Sequence, residues 1–200
     1  MSFKKYYSLF LLLVLVTACN SEKENKKDAN EAEEYIAEVK SEYIPDKRVA
    51  LFHVESRNDD GKYILKGMSN QPEAVATLKQ KLQAAGISFT DSIQMLPAKE
   101  LGNKTRALVR TSVANIRSNP GHSSELATQA TLGTPLKVLK QDGDWYLVQT
   151  PDNYLAWVDH GGITRLTNEE FSAWKASEKV IFMEAYGQSY DTHSTKSDMV

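Results

Sequence analysis

The chain has 200 residues, a formal net charge of -2, and 41% hydrophobic against 25% charged residues. This is the size of one domain or two small ones, and the hydrophobic content is sufficient for cores of modest size. The mildly acidic balance does not favour a nucleic-acid partner, because such proteins carry a basic surface. A single cysteine excludes a disulfide within the chain.

The N-terminus has the pattern of an export signal. Lys4 and Lys5 precede an apolar run at 9–16, which is far shorter than the roughly 20 residues of a membrane-spanning helix. Residues 1–18 are therefore predicted to be a signal peptide. The run ends in V-T-A-C, which resembles the lipobox of bacterial lipoproteins. That resemblance implies lipidation of Cys19 and a location in the cell envelope, anchored to the bacterial membrane on its periplasmic side or at the cell surface.

A polar segment follows the cysteine. It reads N-S-E-K-E-N-K-K-D-A-N-E-A-E-E, with almost nothing to bury, and such segments remain solvated. Residues 19–45 are predicted to be a lipidated tether. Tyr35, Ile36 and Val39 begin a short helix at its end, which closes before Pro45.

Residues 46–97 are predicted to form a ββαβ module. The predicted elements are a strand at 49–54, a turn at 58–61, a returning strand at 63–65, a helix from Asn70 to Gly86, and a strand at 87–95. Asn70 with Glu73 makes a start like a capping box, and Gly86 suits the end of the helix. Residues 97–104 are predicted to link this module to the next.

Residues 105–166 combine short apolar runs with regularly spaced turns at 119–121, 142–144 and 151–153, a pattern typical of a small all-β barrel. The segments V-A-N-I-R-S-N-P, S-E-L-A-T-Q-A-T-L-G-T-P-L-K-V-L and D-G-D-W-Y-L-V-Q-T-P-D-N-Y-L-A-W-V follow one another. In this order they resemble a bacterial SH3-like domain, which implies a barrel of five to seven strands. The predicted fold class is therefore mainly β with an α+β unit.

Residues 167–200 are predicted to be a helix–strand extension. Thr167 and Glu170 make a capping box that opens a short helix, and 180–183 reads as a strand. The remaining residues resemble the start of a further domain, so the chain is interpreted either as a fragment of a longer protein or as a stand-alone lipoprotein.

The sequence contains no recognisable catalytic or metal-binding constellation. The four histidines are scattered, with no pair at metal-ligand spacing. Acylation of Cys19 removes the only thiol nucleophile, and no glycine-rich phosphate loop is present. We therefore expect no metal, no cofactor and, for the chain as given, no enzymatic activity.

The order of lipobox, tether, α+β unit and SH3-like domain resembles the front part of exported NlpC-type cell-wall endopeptidases. In that family a cysteine-peptidase domain cuts γ-D-glutamyl bonds of peptidoglycan stem peptides, and the chain as given lacks it. The resemblance implies that the protein binds or positions stem peptides, alone or for a cell-wall peptidase in the same or another chain. The alternative is a stand-alone envelope lipoprotein that docks another protein.

The resemblance also suggests ligand-binding residues. In the family an acidic group and an aromatic of the first SH3-like domain recognise the free amino end of the stem peptide. The residues of this sequence that match are Glu125, Tyr154 and Trp157. Trp145 and Tyr146 alternate on their strand, so at most one of them faces a groove, and Trp145 is assigned to the core.

Overall fold

The structure is a computed structural model that describes residues 31–183, 187–188, 190, 192–194 and 196. The predicted signal peptide at 1–18 and Cys19 lie outside these residues. Within the described part, no helix has both the length and the hydropathy needed to cross a membrane.

The first folded unit is a three-stranded sheet covered by two helices. Its elements are α1 (Glu31–Tyr43), β1 (Phe52–Asp59), β2 (Lys62–Ser69), α2 (Pro72–Ala84) and β3 (Phe89–Met95). β1 and β2 form an antiparallel hairpin, whereas β3 runs parallel to β2 after the crossover through α2. A parallel pair of strands requires such a crossover connection. The observed order of strand, strand, helix and strand confirms the predicted ββαβ module.

Helix α1 belongs to this unit and not to a tether. Ala32, Ile36 and Val39 are buried in the same cluster as the sheet and α2. The short helix predicted to close before Pro45 is confirmed, and only its assignment to a solvated tether is wrong. The spacing of these three residues puts them on one helix face. Burial of that face offsets the conformational entropy that is lost when the otherwise polar segment becomes a helix.

Helix α2 begins one residue later than the capping pattern suggested. Pro72 is the first helical residue, and Gln71 occupies the N-cap position without a side-chain cap. The side chain of Asn70 instead accepts a hydrogen bond from the backbone N–H of Leu51 at 2.8 Å. The predicted capping box is thus wrong, because Asn70 joins the helix entry to the start of β1.

The second unit is a seven-stranded antiparallel sheet in the order β10-β4-β7-β8-β9-β5-β6. The strands are β4 (Arg106–Val109), β5 (Val113–Arg117), β6 (Leu126–Thr131), β7 (Pro135–Asp142), β8 (Trp145–Gln149), β9 (Leu155–Asp159) and β10 (Ile163–Leu166). A short 3-10 turn at His160–Gly162 joins the last two. The predicted small β domain with up to seven strands is confirmed.

Strand alternation gives this sheet two faces. Ile116, Val138, Val148 and Val158 are among the residues that fill the core. Residues of opposite parity on β5, β8 and β9 point away from the core, because successive side chains of a strand alternate. We call the surface they form the outer face.

The two units are joined through a third apolar cluster. It contains buried Leu96, Leu139 and Leu147, and Leu51 and Trp157 pack against it. Hydrogen bonds accompany this contact between the units. They join the Leu155 N–H to the Arg48 carbonyl at 2.7 Å and the Ala98 N–H to the Leu139 carbonyl at 2.8 Å, both through the backbone.

This junction revises two predictions about the connecting segments. The predicted linker at 97–104 is packed, since Ala98 and Leu101 are buried. The strand predicted at 49–54 begins only at Phe52. The residues just before it contact the second unit, as the Gln149 side chain donates to the Val49 carbonyl at 3.2 Å.

After the barrel, helix α3 (Asn168–Ala176) begins at the predicted capping box. The Thr167 hydroxyl accepts from the Glu170 N–H at 3.2 Å, and the Glu170 carboxylate accepts from the Thr167 N–H at 2.7 Å. The strand predicted at 180–183 is wrong. These residues pair with no described strand, and Ile181 is 80% exposed. An apolar run forms a strand only where a neighbouring strand can accept its backbone hydrogen bonds.

Candidate functional site

A groove of about 260 Å³ lies on the outer face of the second unit, at the end away from the junction. It is lined by residues of β5, β8 and β9, by the loop 118–125 and by the 3-10 turn. The side chains that give it chemical character are those of Asn115, Arg117, His122, Trp145 and Asp159. Strand pairing brings them together, since β9 is hydrogen-bonded to β8 on one side and to β5 on the other.

An aromatic wall is formed by Trp145 and His122. The two rings meet edge to face, with centroids 5.0 Å apart and planes at 64°. Trp145 is only 9% exposed, whereas His122 covers it from the loop 118–125. Trp145 is thus buried, as predicted, but it lines the groove and belongs to the outer face. Tyr146 points to the opposite side and packs against the barrel core.

Asp159 places a carboxylate at the end of β9, directly across from Trp145. Its Oδ1 accepts a hydrogen bond from the Gly161 N–H at 2.7 Å, which fixes the orientation of the side chain. Its Oδ2 lies 3.8 Å from Nε2 of His122, and Oδ1 lies 3.8 Å from Nδ1 of His160. In the described part of the chain, Asp159 has no lysine or arginine within salt-bridge distance. The Asp159 side chain is 34% exposed, and no lysine or arginine among the described residues neutralises its charge.

Arg117 supplies a positive charge at the other side of the groove. Its Nη1 donates to the Ser124 carbonyl at 2.7 Å, which ties the loop 118–125 to β5. This contact helps to hold His122 over Trp145, because Ser124 and His122 lie in the same loop and Arg117 lies in the strand that precedes it. No carboxylate among the described residues forms an ion pair with Arg117.

Two further polar groups complete the groove. The Asn115 side chain accepts a hydrogen bond from Gln129 at 2.9 Å. The hydroxyl of Thr111, a second lining residue, is buried without a hydrogen-bond partner among the described residues. Most buried hydroxyls have a hydrogen-bond partner, so this one is an unsatisfied polar group beneath the groove surface. Within the described ranges, no group of three His, Cys, Asp or Glu side chains is placed to hold a metal ion.

The three residues predicted to bind a ligand do not line this groove. Trp157 lies on the outer face but packs into the junction cluster. Tyr154 is partly buried beside the first unit, with the Arg48 guanidinium 5.9 Å from its ring centre. Glu125 is exposed just before β6, where its carbonyl accepts from the Ser118 N–H.

The groove residues were missed for a physical reason. The alternation of β8 and β9 does put Trp145 and Asp159 on one face, and this signal was available in the sequence. The alternation of β5 likewise places Arg117 on the outer face, whereas the position of His122 depends on how the loop 118–125 folds back over β8. No local pattern encodes that fold, so His122 could not be identified before the tertiary structure.

Comparison with known proteins identifies the second unit. Residues 112–164 match the family described as bacterial SH3 domain. The match covers β5 to β9 and the start of β10, and it includes every groove residue discussed above except Thr111. The resemblance predicted for this domain is confirmed.

The chain is also similar to YrvJ of Bacillus subtilis (strain 168), a protein whose name assigns it as an N-acetylmuramoyl-L-alanine amidase. The two are 28% identical over 94 residues, which make up 47% of this chain and 18% of the Bacillus protein. The similarity therefore covers less than a fifth of that relative.

Proposed function

We propose that this protein is associated with the bacterial cell wall and that its SH3 domain binds peptidoglycan stem peptides in the groove. The proposal is supported by the family of residues 112–164 and by the similarity to a protein named as a cell-wall amidase. The observation that carries it is the carboxylate of Asp159, which stands beside an aromatic wall and has no lysine or arginine partner among the described residues.

The chemistry of the groove suits the amino end of a peptide. An ammonium group placed near Oδ2 of Asp159 gains a charge-assisted hydrogen bond. The adjacent faces of Trp145 and His122 contact the first side chain and exclude water, and an aromatic face near an ammonium adds about 0.5 to 2 kcal/mol. Gly161 keeps Oδ1 occupied, so Oδ2 remains for the ligand.

This assignment replaces the residues but keeps the type of recognition that the sequence suggested. An acidic group and an aromatic remain the recognition elements, with Asp159 and Trp145 in the roles predicted for Glu125 and for Tyr154 or Trp157. The latter two contact the first unit, so we assign them to holding the units together.

The proposed site is tested by retention on purified peptidoglycan. Asp159→Asn preserves the hydrogen bond from Gly161 and removes only the charge, so we expect retention to fall by about tenfold. Asp142→Asn is the matched control, because Asp142 is exposed at the end of β7, outside the groove. Equal retention of both variants would refute the groove as the binding site. Absence of retention for the unmutated protein would instead favour the alternative, an envelope protein that docks another protein.

The membrane anchor and the link to NlpC-type endopeptidases are parts of the same proposal. An acylated Cys19 would hold the groove near the membrane, facing the wall. The chain then supplies binding while a peptidase domain, in the same or another polypeptide, supplies catalysis. Metabolic labelling with radioactive palmitate tests the anchor: we expect incorporation into the full chain and none into Cys19→Ala. Incorporation into that variant, or none into either form, would refute it.

A further inference from the structure

The groove carries two opposite charges that do not neutralise each other. Arg117 and Asp159 both line it, yet no salt bridge joins them. A guanidinium has five N–H donors in a fixed fork. The hydrogen bond to the Ser124 carbonyl uses Nη1, and none of the described residues accepts from Nε or Nη2. Arg117 therefore has donors to offer a ligand.

Strand register explains why these charges stay apart. Arg117 pairs with Trp157 on the neighbouring strand, and Asp159 lies two residues further along that strand. Such diagonal neighbours share one face of the sheet and have Cα atoms roughly 7 to 8 Å apart. The Asp159 side chain is held by Gly161 and Arg117 is held by Ser124. A ligand with groups of both signs can therefore contact both residues at once.

From this arrangement we propose that Arg117 binds a carboxylate of the ligand, which makes the ligand an acidic peptide with a free amino end. This inference rests on the proposed function, which places the amino group at Asp159. The peptide must carry its carboxylate within one or two residues of that amino group, because the two side chains lie on adjacent strands.

The test uses three forms of one small probe and the full chain. The probe is the dipeptide L-alanyl-D-glutamate, compared with the same dipeptide amidated at both carboxylates and with the N-acetylated dipeptide. Binding is measured by calorimetric titration at low ionic strength, because salt screens such contacts. Only the ligand changes in these comparisons, so the fold of the protein is unaffected.

We expect amidation and acetylation each to weaken binding by about tenfold, the size of one charge-assisted hydrogen bond. In Arg117→Gln the free and amidated dipeptides bind equally, whereas acetylation still weakens binding. Arg110→Gln is the matched control, because Arg110 is exposed and does not line the groove. It should keep the full preference for the free carboxylate.

The outcomes separate this inference from the proposed function. If amidation leaves binding to the unmutated protein unchanged while acetylation weakens it, the role of Arg117 is refuted and the amino-end site stands. If none of the three probes binds, the peptide site itself fails and the inference fails with it. If Arg117→Gln loses both preferences, the residue acts by holding the loop 118–125, and the carboxylate contact is refuted.

Discussion

Replacement of Trp157 by alanine distinguishes the two roles that this residue can have. In the structure its ring packs against Leu96, Leu139 and Leu147 between the two units. In the interpretation from sequence it contacts the ligand. The first role predicts a loss of stability, whereas the second predicts a loss of binding without a comparable loss of stability.

The magnitude follows from the area that the ring buries. Removal of about 150 Å² of buried aromatic surface at about 25 cal/mol per Å² costs at most about 3.8 kcal/mol. The unfolded chain already buries some of this surface, which lowers the expected value to about 2 to 3.5 kcal/mol. Replacement of a fully buried tryptophan by alanine typically costs about 3 to 5 kcal/mol. The expected loss of stability lies near the lower end of this range, because the Trp157 side chain is only partly buried.

Urea unfolding of the full chain, followed by far-ultraviolet circular dichroism, measures this change. Leu126→Ala is the control, because Leu126 lies on the outer face of the same domain but is 47% exposed, and its effect should stay within about 0.5 kcal/mol. Peptidoglycan retention of the folded Trp157→Ala protein should equal that of the unmutated protein. A variant with unchanged stability and lost retention would refute the junction role and restore Trp157 as a ligand contact.

Three further predictions concern the framework of the two units. Gly67→Ala should destabilise the first unit by at least about 3 kcal/mol in thermal unfolding, because Gly67 has φ +127° and a Cβ there would overlap a backbone carbonyl of β1. Gly143→Ala, at φ +55° in open space, is its control and should cost only about 1 kcal/mol; similar losses would contradict the packing argument. Thr167→Ala should weaken α3 by about 1 kcal/mol, seen as faster amide hydrogen exchange in its first turn, and unchanged exchange would show that the cap is not needed. Hydrogen bonds from the Arg48 side chain and, next in size, from the Arg48 backbone N–H lower the pKa of Asp46 from 3.8 to about 2. The stabilising contribution of this carboxylate is therefore present above about pH 4 and lost as the pH falls towards 2. A carbon-13 titration should give a midpoint near pH 2, and a midpoint that Arg48→Gln does not raise would refute the role of Arg48.

Local patterns were sufficient for most secondary structure. Alternation and turn residues predicted the barrel strands, and the capping box at Thr167 placed the start of α3. The same reasoning failed at 180–183, since an apolar run has no preference for a strand unless an edge is available to pair with it. It also failed at Asn70, where the side chain bonds to a residue that is distant in sequence.

The candidate site shows the same division. The type of recognition, a carboxylate beside an aromatic, followed from the resemblance to a bacterial SH3 domain. The identity of the residues did not follow. Trp157 packs against the junction cluster, as do Leu51 and Met68 of the first unit. Packing between two folded units leaves no periodic signal in the sequence.

The sequence by itself determined which segments are strands and helices and that the second unit is an SH3 domain, because period, turn chemistry and motif order are local properties. Only the tertiary structure decided which end of the outer face is open. Docking of the first unit covers Trp157, and the loop 118–125 brings His122 against Trp145 at the other end. Both events depend on contacts between residues far apart in the chain, whose energies come from burial and pairing in three dimensions.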